Sequence, residues 1–251
     1  MHTILKSFVF CLCAAASLLM AMAGVLASDQ LTLQGLTKIG APVQVVAIID
    51  GDTLVLQDGR EVRLVGIQAP KLPLGRKGFK TWPLADEAKD RLSNLTLGRQ
   101  VELFAGLTQV DRHDRLLAHL LVTGSEGELI WVQQQLLADG LARVYSFADN
   151  RVALAPLFVA EDKARLSRRC IWGHDYYKVW SAQKIAAAVK SRSYSTDRFE
   201  LVEGRVVDVS IFRDRAYLNF VPDGRDDFSV MIRAEDFRHF GDSDELAEIF
   251  L

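Results

Sequence analysis

The residues of this sequence with the means to do chemistry fall into three short runs: Asp50-Gly51-Asp52, Arg63 within Val62-Arg63-Leu64, and Asp111-Arg112-His113-Asp114-Arg115. Two carboxylates close together at a strand end, and a guanidinium on a following strand, lie where a ligand can reach them. The same residues also make sense without a ligand, since aspartates form turns and an arginine solvates an exposed strand face. Both readings stand on these residues alone.

The elements that must position them can be read from the pattern. Residues 45–50 are an apolar run, residues 53–57 alternate, Asp58-Gly59 is a two-residue hairpin turn, and residues 61–67 form a third run that carries Arg63. Asp and Gly tolerate the positive φ that such a turn needs, so the stretch predicts a three-stranded meander with Val55, Val62 and Leu64 in a core sheet. Residues 71–82, with Pro, Gly and four Lys/Arg, predict an exposed loop beside the strand ends. Pro83 is placed to open a helix whose Leu84, Ala88, Leu92 and Leu95 share a face. Residues 100–104 and 116–122 read as two further strands, joined by the polar loop that holds Asp111 to Arg115.

Five short strands with a helix inserted after the third predict a small closed barrel of the oligonucleotide/oligosaccharide-binding (OB) type with packed helices, an α+β and mainly β fold. A second helix over 131–139 should stop at a left-handed Gly140, and a third over 154–169 should turn Leu157, Ala160 and Ala164 inward and end in a cationic turn. Residues 174–198 read as a connecting helix and linker. Residues 199–251 then predict a second meander, with a turn at Pro222-Asp223-Gly224, in a small β-rich domain. Some fifty residues make a small core, so this domain should lean on the first or be incomplete, and no closing strand is evident near its end.

Charge is unevenly spread along the 251 residues, whose formal net charge is −2. Residues 60–118 hold eleven Lys/Arg against seven Asp/Glu, and residues 199–251 hold six against thirteen. A polyanion would be drawn to the first region and repelled by the second. Residues 1–27, with Lys6, an apolar run over 7–26 and Val25-Leu26-Ala27, predict a cleaved signal peptide and an exported protein, periplasmic or secreted; an uncleaved N-terminal membrane anchor is the alternative. With that segment removed Cys170 is the one thiol left, which excludes an internal disulfide and a cysteine metal site.

Ile49-Asp50-Gly51-Asp52-Thr53, then residues 62–67 followed by Ala69-Pro70, then residues 111–118, with Gly140-Leu141-Ala142-Arg143-Val144 and Ile171-Trp172 after them, resemble in order and spacing the staphylococcal nuclease (thermonuclease-like) family. The resemblance covers about residues 43–172, within a domain expected over 36–173. It implies an OB-type barrel and a calcium-assisted phosphodiesterase acting on DNA and RNA. By position Asp52 matches the metal aspartate, while Arg63 and Arg115 match the two catalytic arginines that grip phosphate. Those roles are chemically apt. A hard cation takes carboxylate oxygen, and a planar guanidinium binds two phosphate oxygens while staying charged as the transition state gains negative charge.

Two matching positions depart. Gln68 stands where the family has a second metal-binding aspartate, and Lys71 where it has the basic glutamate. The exchange makes the site about three charges more positive, so calcium should bind worse and phosphate at least as well. Loss of a positioned base typically lowers a rate by about 10²–10⁴-fold. His113 is the neighbouring candidate for that role, with a surface loop histidine as the alternative; Asp86 and Glu87 read better as first-turn helix carboxylates. Three function classes follow: an exported nuclease of reduced activity that uses calcium, a non-hydrolytic module that holds single-stranded DNA, RNA or another anionic ligand, and an interaction protein in which the barrel is only scaffold.

Overall fold

The structure is a computed structural model. It describes residues 33, 35–191, 200–221, 228–241 and 245–251, so the expected signal peptide or anchor over 1–27, the linker over 192–198 and the Pro222-Asp223-Gly224 turn lie outside the described residues. The chain divides into two compact units, Met1–Gly173 and His174–Leu251.

In the first unit β1 (Thr37–Lys38) is an edge strand, and β2 (Val43–Asp50), β3 (Thr53–Leu56) and β4 (Glu61–Leu64) form the expected meander. The third strand is shorter than its apolar pattern suggested. The chain turns at Val65-Gly66 with φ 79° at the glycine, and β5 (Ile67–Gln68) leaves the meander to pair with β9 (Arg143–Val144). Hydrophobicity cannot signal this break, because Ile67 is buried on either path. A side chain at Gly66 would sit 2.8 Å from Leu157, so close packing as well as the turn calls for glycine here.

Helix α1 (Ala85–Thr96) carries the chain to β6 (Gln100–Ala105) and then β7 (Leu116–Thr123), which pairs parallel with β4. Parallel pairing needs a long crossover, and α1 with β6 supplies it. β6 pairs with both β2 and β7, which closes a five-stranded barrel in the order β2-β3-β4-β7-β6. Register shifts along β2, between Val45 and Ala47 and between Ile48 and Asp50, bend that strand around the curve. Leu54, Leu64, Leu103 and Leu120 fill the core and are fully buried. Ala88, Leu92 and Leu95 of α1 are buried at the expected helical spacing. Pro83 itself lies in the turn that feeds the helix, because Leu84 adopts φ 64° and helical bonding starts only after it.

β8 (Leu129–Trp131) extends the sheet from β7 and runs directly into α2 (Val132–Ala138), so Trp131 ends a strand where a helix start was expected. Gly140 is left-handed at φ 69°. Helix α3 (Leu154–Leu166) buries Leu157, Ala160 and Ala164, and the arginines at 168 and 169 fall beyond its end.

The second unit contains β10 (Trp180–Ser181) paired parallel with β11 (Val202–Glu203), helix α4 (Ala182–Lys190), an antiparallel meander of β12 (Asp208–Phe212), β13 (Arg215–Asn219) and β14 (Ser229–Arg233), and helix α5 (Glu245–Phe250). Its small core of Ala216, Leu218, Ile232 and Leu246 takes one residue from α5, so a helix covers the sheet where no closing strand was evident. The i, i+4 pair Leu246 and Phe250 was the sequence signal for it.

Candidate functional site

The β2–β3 turn presents two carboxylates on one rigid corner. Asp50 Oδ1 accepts the Asp52 amide at 3.1 Å, which fixes the turn, and the Asp52 carbonyl accepts the Leu64 amide at 2.9 Å, which ties it to β4. Gly51 between them is in close contact with α1: a Cβ there would lie 2.7 Å from the Cβ atoms of both Ala69 and Ala88. The corner can therefore reach the Ala69-Pro70-Lys71 segment only with glycine in the middle.

Asp52 is fully buried, and its oxygens are taken by protein donors. Lys71 Nζ donates to Oδ1 at 2.8 Å and Oδ2 at 2.7 Å, the Ala69 amide donates to Oδ2 at 2.7 Å, and Arg63 Nη2 lies 3.4 Å from Oδ2. Lys71 also stands 3.6 Å from Asp50. Burial alone would raise the Asp52 pKa, but Arg63 and Lys71 outweigh it and hold the group at about 2. At Asp50 burial and the neighbouring Asp52 charge win over Lys71, and its pKa is raised. Two carboxylates two residues apart are pushed in opposite directions.

Arg63 is turned into its own strand end. Its Nη1 donates to the Leu64 carbonyl and its Nη2 to the Ile67 carbonyl at 2.7 Å, with only 13% of the side chain exposed. The guanidinium thus pins the Val65-Gly66 turn while forming part of a cavity wall. Arg115 is held differently. In the 111–115 loop, Asp111 Oδ1 accepts the His113 and Arg115 amides, and Oδ2 accepts Arg115 Nε at 2.9 Å and Nη2 at 2.7 Å. Burial would raise the Asp111 pKa, but its bonds to Arg115 overcome that and lower it. Arg115 Nη1 has no partner among the described residues.

Arg63, Arg115 and Lys71 line one cavity of about 690 Å³, together with Arg112, His113 and Gln68. Of the charged residues on its wall four are cationic and two, Asp111 and Asp149, anionic. Tyr145 and Phe147, edge to face at 5.1 Å, add an aromatic wall, and Phe147 is 61% exposed. No sequence pattern singled these two out, although an aromatic pair one residue apart just after a buried strand was the available signal. Asp52 lies beside Arg63, as expected, but behind this wall, and it meets the cavity-lining residues Lys71 and Arg63 from that side. Asp86 and Glu87 sit in the first turn of α1, as their spacing suggested.

Residues 61–174 match the family model described as staphylococcal nuclease homologue. This part of the chain, a little under half of it, is a domain similar to the staphylococcal nuclease homologues. The match begins at β4 and takes in Arg63, Lys71 and Arg115, while Asp50 and Asp52 precede it. No curated protein matches the chain. The calcium that the resemblance implied does not fit the residues of this domain. The carboxylate that would offer oxygen has an ammonium against both oxygens, Gln68 is neutral, and no group of three His, Cys, Asp or Glu side chains able to hold a metal occurs among the described residues.

Proposed function

We propose that the nuclease-like domain binds a single-stranded nucleic acid, DNA or RNA, or a similar phosphodiester, in the cavity between β4, the 111–115 loop and the 145–150 segment, and that binding dominates over calcium-assisted hydrolysis. The observation that carries this reading is the wall itself: Arg63, Lys71, Arg112 and Arg115 meet Tyr145 and Phe147 around one 690 Å³ space. A phosphate is drawn to the cations, and Arg115 Nη1 offers it a donor already held in place by Asp111. An exposed aromatic face suits an unstacked base of any sequence. The cationic groups Arg63 and Arg115 would also stabilise charge if a bond were broken, but calcium has no place in that step.

His113 lines the same cavity, which favours a second reading, slow metal-free hydrolysis with that imidazole taking a proton from water. An exported location belongs to the proposal as well and rests on the pattern of residues 1–27; cell fractionation with an antibody to the chain tests it.

Fluorescence polarisation of a labelled single-stranded oligonucleotide, run beside a gel assay for cleavage, decides between the readings. Binding that weakens steeply with salt, without cleavage, supports the first. Arg115→Ala is the cleaner probe of the two arginines, because Arg63 also holds carbonyls of its own turn. Losing one charge-assisted contact should weaken binding about tenfold. Cleavage that survives a chelator and disappears in His113→Ala supports the second reading. No salt-dependent binding would end both.

A further inference from the structure

The Lys71 ammonium stands between the Asp50–Asp52 corner and the cavity. It touches both oxygens of Asp52 at 2.8 and 2.7 Å, lies 3.6 Å from Asp50, and at the same time lines the cavity that Arg63 and Arg115 line. A divalent ion held by this turn would do those same three things: neutralise the aspartates, join them to the cavity, and face the ligand with positive charge. The lysine does them covalently. Its side chain is 20% exposed, enough to reach the ligand space, and its two bonds to Asp52 fix the Nζ position.

We propose that Lys71 is a built-in replacement for a divalent cation, so that the cavity binds its phosphodiester without metal and calcium is excluded from the Asp50–Asp52 corner. The charges support this. Asp50 and Asp52 face Lys71 and Arg63, two against two, so a corner already neutral offers little attraction to a further double positive charge. With the Lys71 ammonium removed, the two carboxylates would face Arg63 alone and keep a net negative charge, and a hard cation would be favoured there. The other groups packed against the corner are the backbone amide of Ala69 and the hydroxyl of Thr53, which donates to Asp52 at 3.3 Å; neither adds charge. This inference rests on the proposed phosphodiester reading for the ligand, but its metal half concerns the free protein.

Two measurements separate the halves. In the first, thermal unfolding of the wild-type protein and of the double variant Gln68→Asp/Lys71→Glu is followed with and without about 10 mM calcium, roughly tenfold above the dissociation constants of weak extracellular calcium modules. Wild type should show no calcium-dependent rise in Tm, while the variant gains one of about 4 °C or more. A calcium-dependent rise in wild type overturns the proposal whether or not the variant folds. In the second, polarisation of the labelled oligonucleotide is measured in chelator and in calcium. Wild-type affinity should be the same in both, Lys71→Gln should lose about tenfold, and Lys71→Arg should keep most of it. An affinity that chelator abolishes, or that Lys71→Gln leaves intact, overturns the replacement role. A protein that shows no calcium shift and no oligonucleotide binding ends the phosphodiester reading while leaving calcium exclusion in place.

Discussion

Asp50 and Asp52 show how far two like residues can be driven apart by their partners. Asp52 has no exposure and is held at about 2 by Arg63 and Lys71, whereas Asp50 is raised by burial and by the charge of Asp52. Asp52→Asn leaves Lys71 and Arg63 without their shared anion and should cost about 3 kcal/mol at neutral pH, within the range for breaking a buried pair. Asp50→Asn keeps an oxygen for the Asp52 amide and removes a penalised charge, so its effect should stay within about 1 kcal/mol. Because the Asp52 pKa is depressed on folding, its stabilisation is fully present above about pH 4 and is lost as pH falls toward about 2. The cost of Asp52→Asn should therefore shrink across that window. Asp50, with its pKa raised, contributes the opposite slope: its penalty grows as pH rises above about 4. Urea titrations of the three proteins at several pH values read all of this, and equal costs for the two substitutions would contradict it. The residue types at the site were legible in the sequence because Asp-Gly-Asp and the arginine loop keep their spacing. The Lys71–Asp52 pair was not. Nothing local joins residues nineteen apart, and Lys71 stood out in the sequence only as the loss of a base and a gain of positive charge.

Elements place these residues by contacts that a strand pattern does not encode. The meander, the inserted helix and the two later strands could be read from alternation and helical spacing, and β4, α1 and β6 each turn one face to the core. The early end of β4 and the short pairing of β5 with β9 depend on a turn packed against Leu157, which is a tertiary fact. Gly51 is the sharpest example: with its Cβ position 2.7 Å from Ala69 and Ala88, Gly51→Ala should displace the turn from α1 and cost about 1–3 kcal/mol, measured by denaturant unfolding. Strand β7 carries a second constraint in His119, which is 1% exposed and packed at 5.4 Å on Trp131, with no partner for Nδ1 among the described residues. Burial pulls its pKa down to about 4, so the imidazole is neutral in the folded barrel at neutral pH. The unfolded chain binds that proton near pH 6.5 and the folded one near 4, so stability should fall as pH drops through this window, by about 3 kcal/mol in all. His119→Leu should flatten that part of the stability curve, and an unchanged slope in the variant would place the proton elsewhere.

At the scale of the molecule, charge and core are divided between the units in a way that should let the first carry the proposed binding by itself. The main hydrophobic cluster is drawn from residues 33–160, and the cavity wall from residues 63–150, so core and cavity belong to one unit. Residues 33–173 hold eighteen Lys/Arg against sixteen Asp/Glu, whereas residues 174–251 hold eleven against fifteen. The field of the second unit opposes a polyanion, and the field of the first favours it slightly. A protein cut to residues 33–173 should therefore fold in one cooperative transition and bind the labelled oligonucleotide at least as tightly as the full chain. The gain should be clearest near about 0.05 M salt, where charges act over more than 10 Å, and should fade near about 0.5 M, where screening shortens that reach to a few ångströms. Polarisation titrations of both proteins across that range test it. Weaker binding by the shortened protein at every salt concentration would show that residues 174–251 supply contacts of their own, since a lost repulsion cannot lower affinity.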